Sequence, residues 1–130
     1  MIRKTILMLL LAVFSTTAAA DWFPVGGNEN GTIYTDPATI NKEGDIVSMW
    51  DLLDFKSVQV TTLGKKFLSQ MSHHELDCKE KRGRLLETTI YSGNAESGEV
   101  IYRDISSGQW ESLKPESVLQ ILWNIACGQN

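Results

Sequence analysis

Through the middle of the chain, apolar residues alternate with polar ones or crowd into short runs closed by turn formers; long apolar stretches occur only at the two ends. Thr32–Thr35 is rich in strand formers and ends at the Asp36-Pro37 turn signal. Asn41 to Asp45, with Gly44, reads as a turn. Ile46 to Leu53 reads as a strand so dense in apolar residues that both of its faces are expected to be partly covered. Asp54 to Ser57 breaks this run, Val58 to Thr61 alternates, and Leu63-Gly64 closes it. Lys66 to Leu76 fits two periods: Phe67, Met71 and Glu75 have helical spacing, whereas Phe67, Ser69 and Met71 alternate. We read it as a strand. Leu85–Tyr91 and Glu99–Ile105 alternate again, separated by the turn Ser92–Gly98. Residues 21 to 31 carry Pro24, Gly26, Gly27, Asn28, Asn30 and Gly31, and so predict little regular structure.

The C-terminal stretch has a different period. Pro115 suits the first turn of a helix and Glu116 its positive end. Val118, Leu119, Ile121, Leu122, Trp123, Ile125, Ala126 and Cys127 follow, and Gly128 can stop the helix. Ser117, Gln120 and Asn124 form its only polar stripe, so most of its surface is expected to be covered. The predicted fold class is α+β: a single antiparallel sheet of about five or six strands with one C-terminal helix packed on it.

The N-terminal apolar run, Ile6 to Phe14, follows Arg3 and Lys4 and precedes Ala18 and Ala20. That order predicts a secretory signal peptide over residues 1–20, cleaved after Ala20, with 21–130 as a single exported domain. The run is far shorter than the ~20 residues a bilayer-spanning helix needs, so no stable membrane span is expected after cleavage. Position 21 is Asp rather than the cysteine of a lipoprotein junction, which predicts a periplasmic or secreted product and not a lipoprotein.

The formal net charge is −4, and loss of Arg3 and Lys4 makes the remainder more acidic. Such a domain is a poor candidate for nucleic acid or anionic lipid and a better one for a protein partner. Cys78 and Cys127 are its two cysteines, and an even count in an oxidising compartment predicts a disulfide. The bridge would tie the helix to the strand region across about 50 residues, worth on the order of 4 kcal/mol in the chain-entropy picture.

Candidate chemistry is sparse. His73 and His74 are neighbours in a predicted strand and point to opposite faces, so they do not share a metal easily; a solvated strand is expected there. Ser72, His73 and Asp77 lack the glycine pattern of a nucleophile elbow. Lys79, Lys81, Arg82 and Arg84 read as a solvated hairpin tip beside the disulfide. Trp50 and Trp123 are expected in the core, with Trp22 and Trp110 packing loops onto it. No catalytic, cofactor-binding or metal-binding residues are expected, and the chain does not read as an enzyme.

Several landmarks occur in a telling order: Tyr34-Thr35-Asp36, Trp50-Asp51-Leu52, Asp77-Cys78, Arg84, Tyr91-Ser92, Gly98, Trp110, Pro115-Glu116-Ser117 and Cys127. In this order the chain resembles the surface-adhesin protein E family of small exported bacterial proteins, over about residues 22–127. The resemblance implies one antiparallel sheet, a C-terminal helix packed on it and a disulfide joining the helix end to a strand. It also implies adhesion, since surface-exposed members bind host matrix and serum proteins. The lipid-anchoring cysteine of the lipoprotein adhesin is absent here. The expected partner is therefore a protein, either a host matrix protein or a periplasmic one, met by the sheet face away from the helix and its loops. A second expectation is a periplasmic inhibitor or envelope-homeostasis factor that blocks a basic hydrolase with the Ser92–Glu99 loop.

Overall fold

The computed structural model describes residues 21–128; the expected leader, 1–20, lies outside the described residues. The strands are β1 (Phe23–Asn28), β2 (Gly31–Thr35), β3 (Asn41–Glu43), β4 (Ile46–Val60), β5 (Lys66–Asp77), β6 (Arg82–Tyr91), β7 (Val100–Asp104) and β8 (Glu111–Ser112), followed by helix α1 (Val118–Cys127). All pairings are antiparallel, in the order β1-β2-β4-β5-β6-β7. The short β3 and β8 extend this path by pairing with β4 and β6.

The α+β class is as expected, but the described residues hold eight strands rather than five or six. The glycine- and asparagine-rich segment after residue 22 is β1, because β2 supplies it with a ladder from Phe23–Thr35 to Asn28–Gly31, interrupted by one register shift between Pro24 and Gly26. Tertiary pairing here overrides weak local propensity. Asn41–Glu43, read as a turn, pairs with Ile46–Ser48. The polar break at Asp54–Ser57 does not end β4. It is taken up as a register irregularity between Asp54 and Gln59, and the strand continues. Lys66 to Leu76 is strand, with His73 and His74 opposite Trp50 and Met49.

Helix α1 starts later than Pro115 suggests. Ser117 is its N-cap, in extended conformation, and its hydroxyl accepts the Gln120 N–H at 3.1 Å. Pro115 and Glu116 lie outside the helix, and Glu116 sits at φ 60°, so no acidic residue occupies the first turn. Gly128 ends the helix at φ 68°, donating its N–H to the Asn124 carbonyl.

Directly opposite residues in neighbouring strands share a face. Ile33, Leu53 and Gln70 therefore lie on one face, with Met49, His74 and Leu85, and with Val47, Leu76 and Gly83. This is the face that α1 covers. Ile33, Met49, Leu76, Leu122 and Trp123 form the buried core cluster, with Leu53, Leu119 and Ile121 packed against it. A Cβ on Gly83 would come within 2.6 Å of Leu119 Cδ1, and one on Gly26 within 3.2 Å of Ile121 Cδ1. The helix can settle this low because those two positions lack a side chain. As expected of a helix covered on most sides, Leu122 and Trp123 are buried, the other apolar residues of α1 are partly buried against the core, and Asn124 of the polar stripe is exposed.

Candidate binding face

The disulfide fixes which face stays open. Cys78 and Cys127 are bonded with Cα atoms 5.5 Å apart, so the last turn of α1 is held at the end of β5. One turn earlier, the Trp123 indole N–H donates to the Asp77 main-chain oxygen at 2.9 Å. With the helix pinned to one face, the opposite face carries the other alternating set of β4, β5 and β6. The Ser92–Glu99 loop lies across part of it, where Leu52, Ser69 and Thr89 are buried, and the half-buried rows around Trp50, His73, Glu75 and Arg84 are its more open part.

Three cross-strand rows organise that face. In the first, Trp50 stacks on His73 with ring centroids 4.6 Å apart and an interplanar angle of 4°. His73 lies opposite Glu87, whose carboxylate accepts from Arg103 Nη2 at 2.7 Å. Partial burial holds the His73 imidazole below its usual pKa, against the pull of Glu87 and Glu75. In the second row, Arg84 pairs with Glu75 at 2.6 Å. In the third, Arg82 pairs with Asp77 at 3.1 Å. The Trp110 ring lies 4.7 Å from the guanidinium carbons of both arginines, which makes a cation–π cluster beside β8.

These placements revise the sequence reading. Trp123 is core, whereas Trp50 is only half-buried and belongs to the open face. Lys79 and Lys81 do lie at the β5–β6 turn, but Arg82 and Arg84 are engaged in ion pairs rather than free. His73 and His74 do point to opposite faces. His74 is not solvated, however: its Nδ1 lies 2.5 Å from Oδ1 of the buried Asp51. Burial pushes the Asp51 carboxyl up in pKa, against the hydrogen bond and charge of His74. Asp51 Oδ2 is buried with no hydrogen-bond partner. The pair lines a cavity of roughly 390 Å³ beside the start of α1, with Ser72, Leu85 and Leu119. Ser72 does not complete a triad there, since its buried hydroxyl pairs with that of Thr88 at 3.1 Å. Among the described residues no group of three or more His, Cys, Asp or Glu is placed to hold a metal ion.

The Ser92–Glu99 loop does not project as a free tip. Asn94 Nδ2 donates to Asp54 Oδ1 and to the Phe55 carbonyl, both at 2.8 Å, and the Ala95 N–H donates to Asp54 at 3.0 Å. The Ser69 hydroxyl donates to the Gly93 carbonyl at 2.6 Å and accepts the Glu96 N–H. Glu96 also accepts from the Trp22 indole. The loop is thus folded back across β5 to β4, with Ala95 and Glu96 held at φ 51° and 64°.

The Arg84–Glu75–Trp110 and Asp51–His74 groups were invisible in the sequence, because they depend on strand register.

Comparison with known proteins agrees with this architecture. The crystal structure of Haemophilus influenzae protein E superimposes with a TM-score of 0.60 at 18% identity, covering 85% of this chain and 89% of that one. A second crystal form of the same protein gives 0.63 at 17% identity, over 85% and 92%. Protein E from non-typeable Haemophilus influenzae gives 0.56 at 20% identity, over 87% and 79%. At such identities these likenesses establish the fold. No curated protein sequence matches the chain. The family model described as Surface-adhesin protein E matches residues 22–128, and the chain belongs to the surface-adhesin protein E family.

Proposed function

We propose that residues 1–20 direct export, that 21–130 act as one domain, and that this domain is a non-enzymatic protein-binding module of the cell surface. Its ligand class is a host extracellular-matrix protein, met by the face opposite α1. Membership of a surface-adhesin family across nearly all of the described chain carries this reading. The open face supports it physically. Trp and Arg are the residue types most often found as interface anchors, and Trp110, Arg82, Arg84 and Trp50 all sit there. Their charges are already paired within the sheet, so the face is pre-organised and a partner loses little in ordering it. Among the described residues no helix is long and apolar enough to cross a membrane.

Two measurements test the proposal together. The purified protein should bind immobilised extracellular-matrix proteins saturably, and protease added to intact cells should remove it. Protection from the protease, or binding that fails to saturate, would overturn the adhesin reading.

A further inference from the structure

The β4–β5 hairpin runs beyond the rest of the sheet. β2 pairs with β4 no further than Phe55, and β6 pairs with β5 no further than Ser69. Beyond those points the two strands have each other, through Gln59–Phe67 and Val60–Lys66, and one brace at the base where the Lys56 N–H donates to the Asn30 carbonyl at 2.9 Å. The Phe55 and Phe67 rings meet edge to face at 5.8 Å across this base. The apex is an ordered turn: Thr61 N–H donates to Lys65 O at 2.8 Å, Gly64 N–H to Thr61 O at 2.9 Å, and Lys65 N–H to the Thr61 hydroxyl at 3.1 Å.

This ribbon displays apolar residues outward. Leu63 at the apex is 86% exposed, Val60 61% and Val58 51%. From Phe55 to Phe67 there is no acidic residue, while Lys56, Lys65 and Lys66 all lie in it, on a chain whose net charge is −4. The overall acidity that argued against anionic lipid hides a cationic, apolar tip.

The geometry points to this hairpin tip as an interfacial anchor for an anionic lipid surface. Leu63, Val58 and Val60 would enter the headgroup boundary while the three lysines keep their ammonium groups at phosphate level and lay their stems along the apolar wedge. Juxtamembrane lysines gain from an anionic leaflet, and the acidic remainder of the molecule is repelled, so the ribbon is steered tip first. A groove on an acidic protein fits less well. A two-stranded ribbon is too narrow to supply the roughly 800 Å² per partner of a standard interface. The tip also carries no Trp, Tyr or Arg anchor.

The test is co-sedimentation of the purified protein with vesicles of phosphatidylcholine alone and of phosphatidylcholine mixed with phosphatidylglycerol. The protein should bind the anionic vesicles only, and added salt should weaken that binding. V58S/V60S/L63S and K56E/K65E/K66E should each lower partitioning at least tenfold, with circular dichroism unchanged because every altered side chain is exposed. K79E/K81E, the same kind of charge change at the β5–β6 turn, should bind nearly as well as the parent. Absence of sedimentation with anionic vesicles, or equal loss in K79E/K81E, would overturn the inference. So would capture of an acidic protein by the tip without any vesicle binding. Matrix binding by the open face does not depend on the result.

Discussion

Trp123 and Asp77 are joined by an indole N–H to main-chain oxygen bond of 2.9 Å, and the residue after Asp77 is the half-cystine whose partner, Cys127, lies one turn beyond Trp123. Two adjacent positions at the end of β5 thus hold two successive turns of the same helix.

Loss of the covalent half, as C78A/C127A, should cost about 4 kcal/mol, the value expected for opening a loop of this length. Loss of the hydrogen-bonded half, as W123F, leaves the Asp77 carbonyl without its partner and should cost about 1–3 kcal/mol. Because both act on the same contact, the combined variant should depart from additivity. Urea unfolding of the four proteins measures this.

Gly83→Ala tests how low the helix sits. The new methyl would meet Leu119 Cδ1 at 2.6 Å and Leu76 Cδ1 at 3.0 Å, both in the packed layer. Overpacking of this kind should destabilise by about 1–3 kcal/mol. Thermal unfolding reads it; an unchanged Tm would mean that the helix rides higher than the contact implies.

Asp77 sets a pH dependence. Its carboxylate accepts the Glu80 and Lys79 N–H groups and pairs with Arg82, which together hold its pKa below the ordinary carboxylate value, the Glu80 bond contributing most. A carboxyl depressed in the folded state adds stability that is present above its unfolded pKa and lost as pH falls through the folded one. D77N should therefore be less stable than the parent at neutral pH, with the gap closing as acid protonates Asp77. Denaturant titrations across the acid range follow this gap.

Asp54 holds the Ser92–Glu99 loop through Asn94 and Ala95. D54A should release residues 93–97, seen as faster amide exchange there, at a stability cost of about 1 kcal/mol because the bonds are solvent-exposed. Equal exchange in both proteins would show that Ser69 and Trp22 suffice to hold the loop.

The sequence made the long elements legible, and the register-dependent contacts much less so. Alternation located β5, β6 and β7, and the 3.6 period located α1, because burial of one face leaves a repeat in the chain. It also placed His73 and His74 on opposite faces. β1 escaped notice, since Gly26, Gly27 and Asn28 are poor strand formers made into strand by β2. The two-residue β8 is too short to show a period. Asp54 and Asn94 are 40 residues apart, so the loop they fasten looked free. Asp51 and His74 meet because of strand register, which no local window contains.

On the proposed function, α1, pinned by Cys127 and Trp123, closes one face and a protein partner meets the other. The most direct test is the binding isotherm on immobilised extracellular-matrix protein for three molecules: the parent, R84A/W110A on the open face, and Q120A/N124A on the polar side of the helix. R84A/W110A should give an isotherm at least tenfold weaker, with circular dichroism of the folded state retained, and Q120A/N124A should be unchanged. Undiminished binding by R84A/W110A, or loss in the helix variant instead, would contradict it.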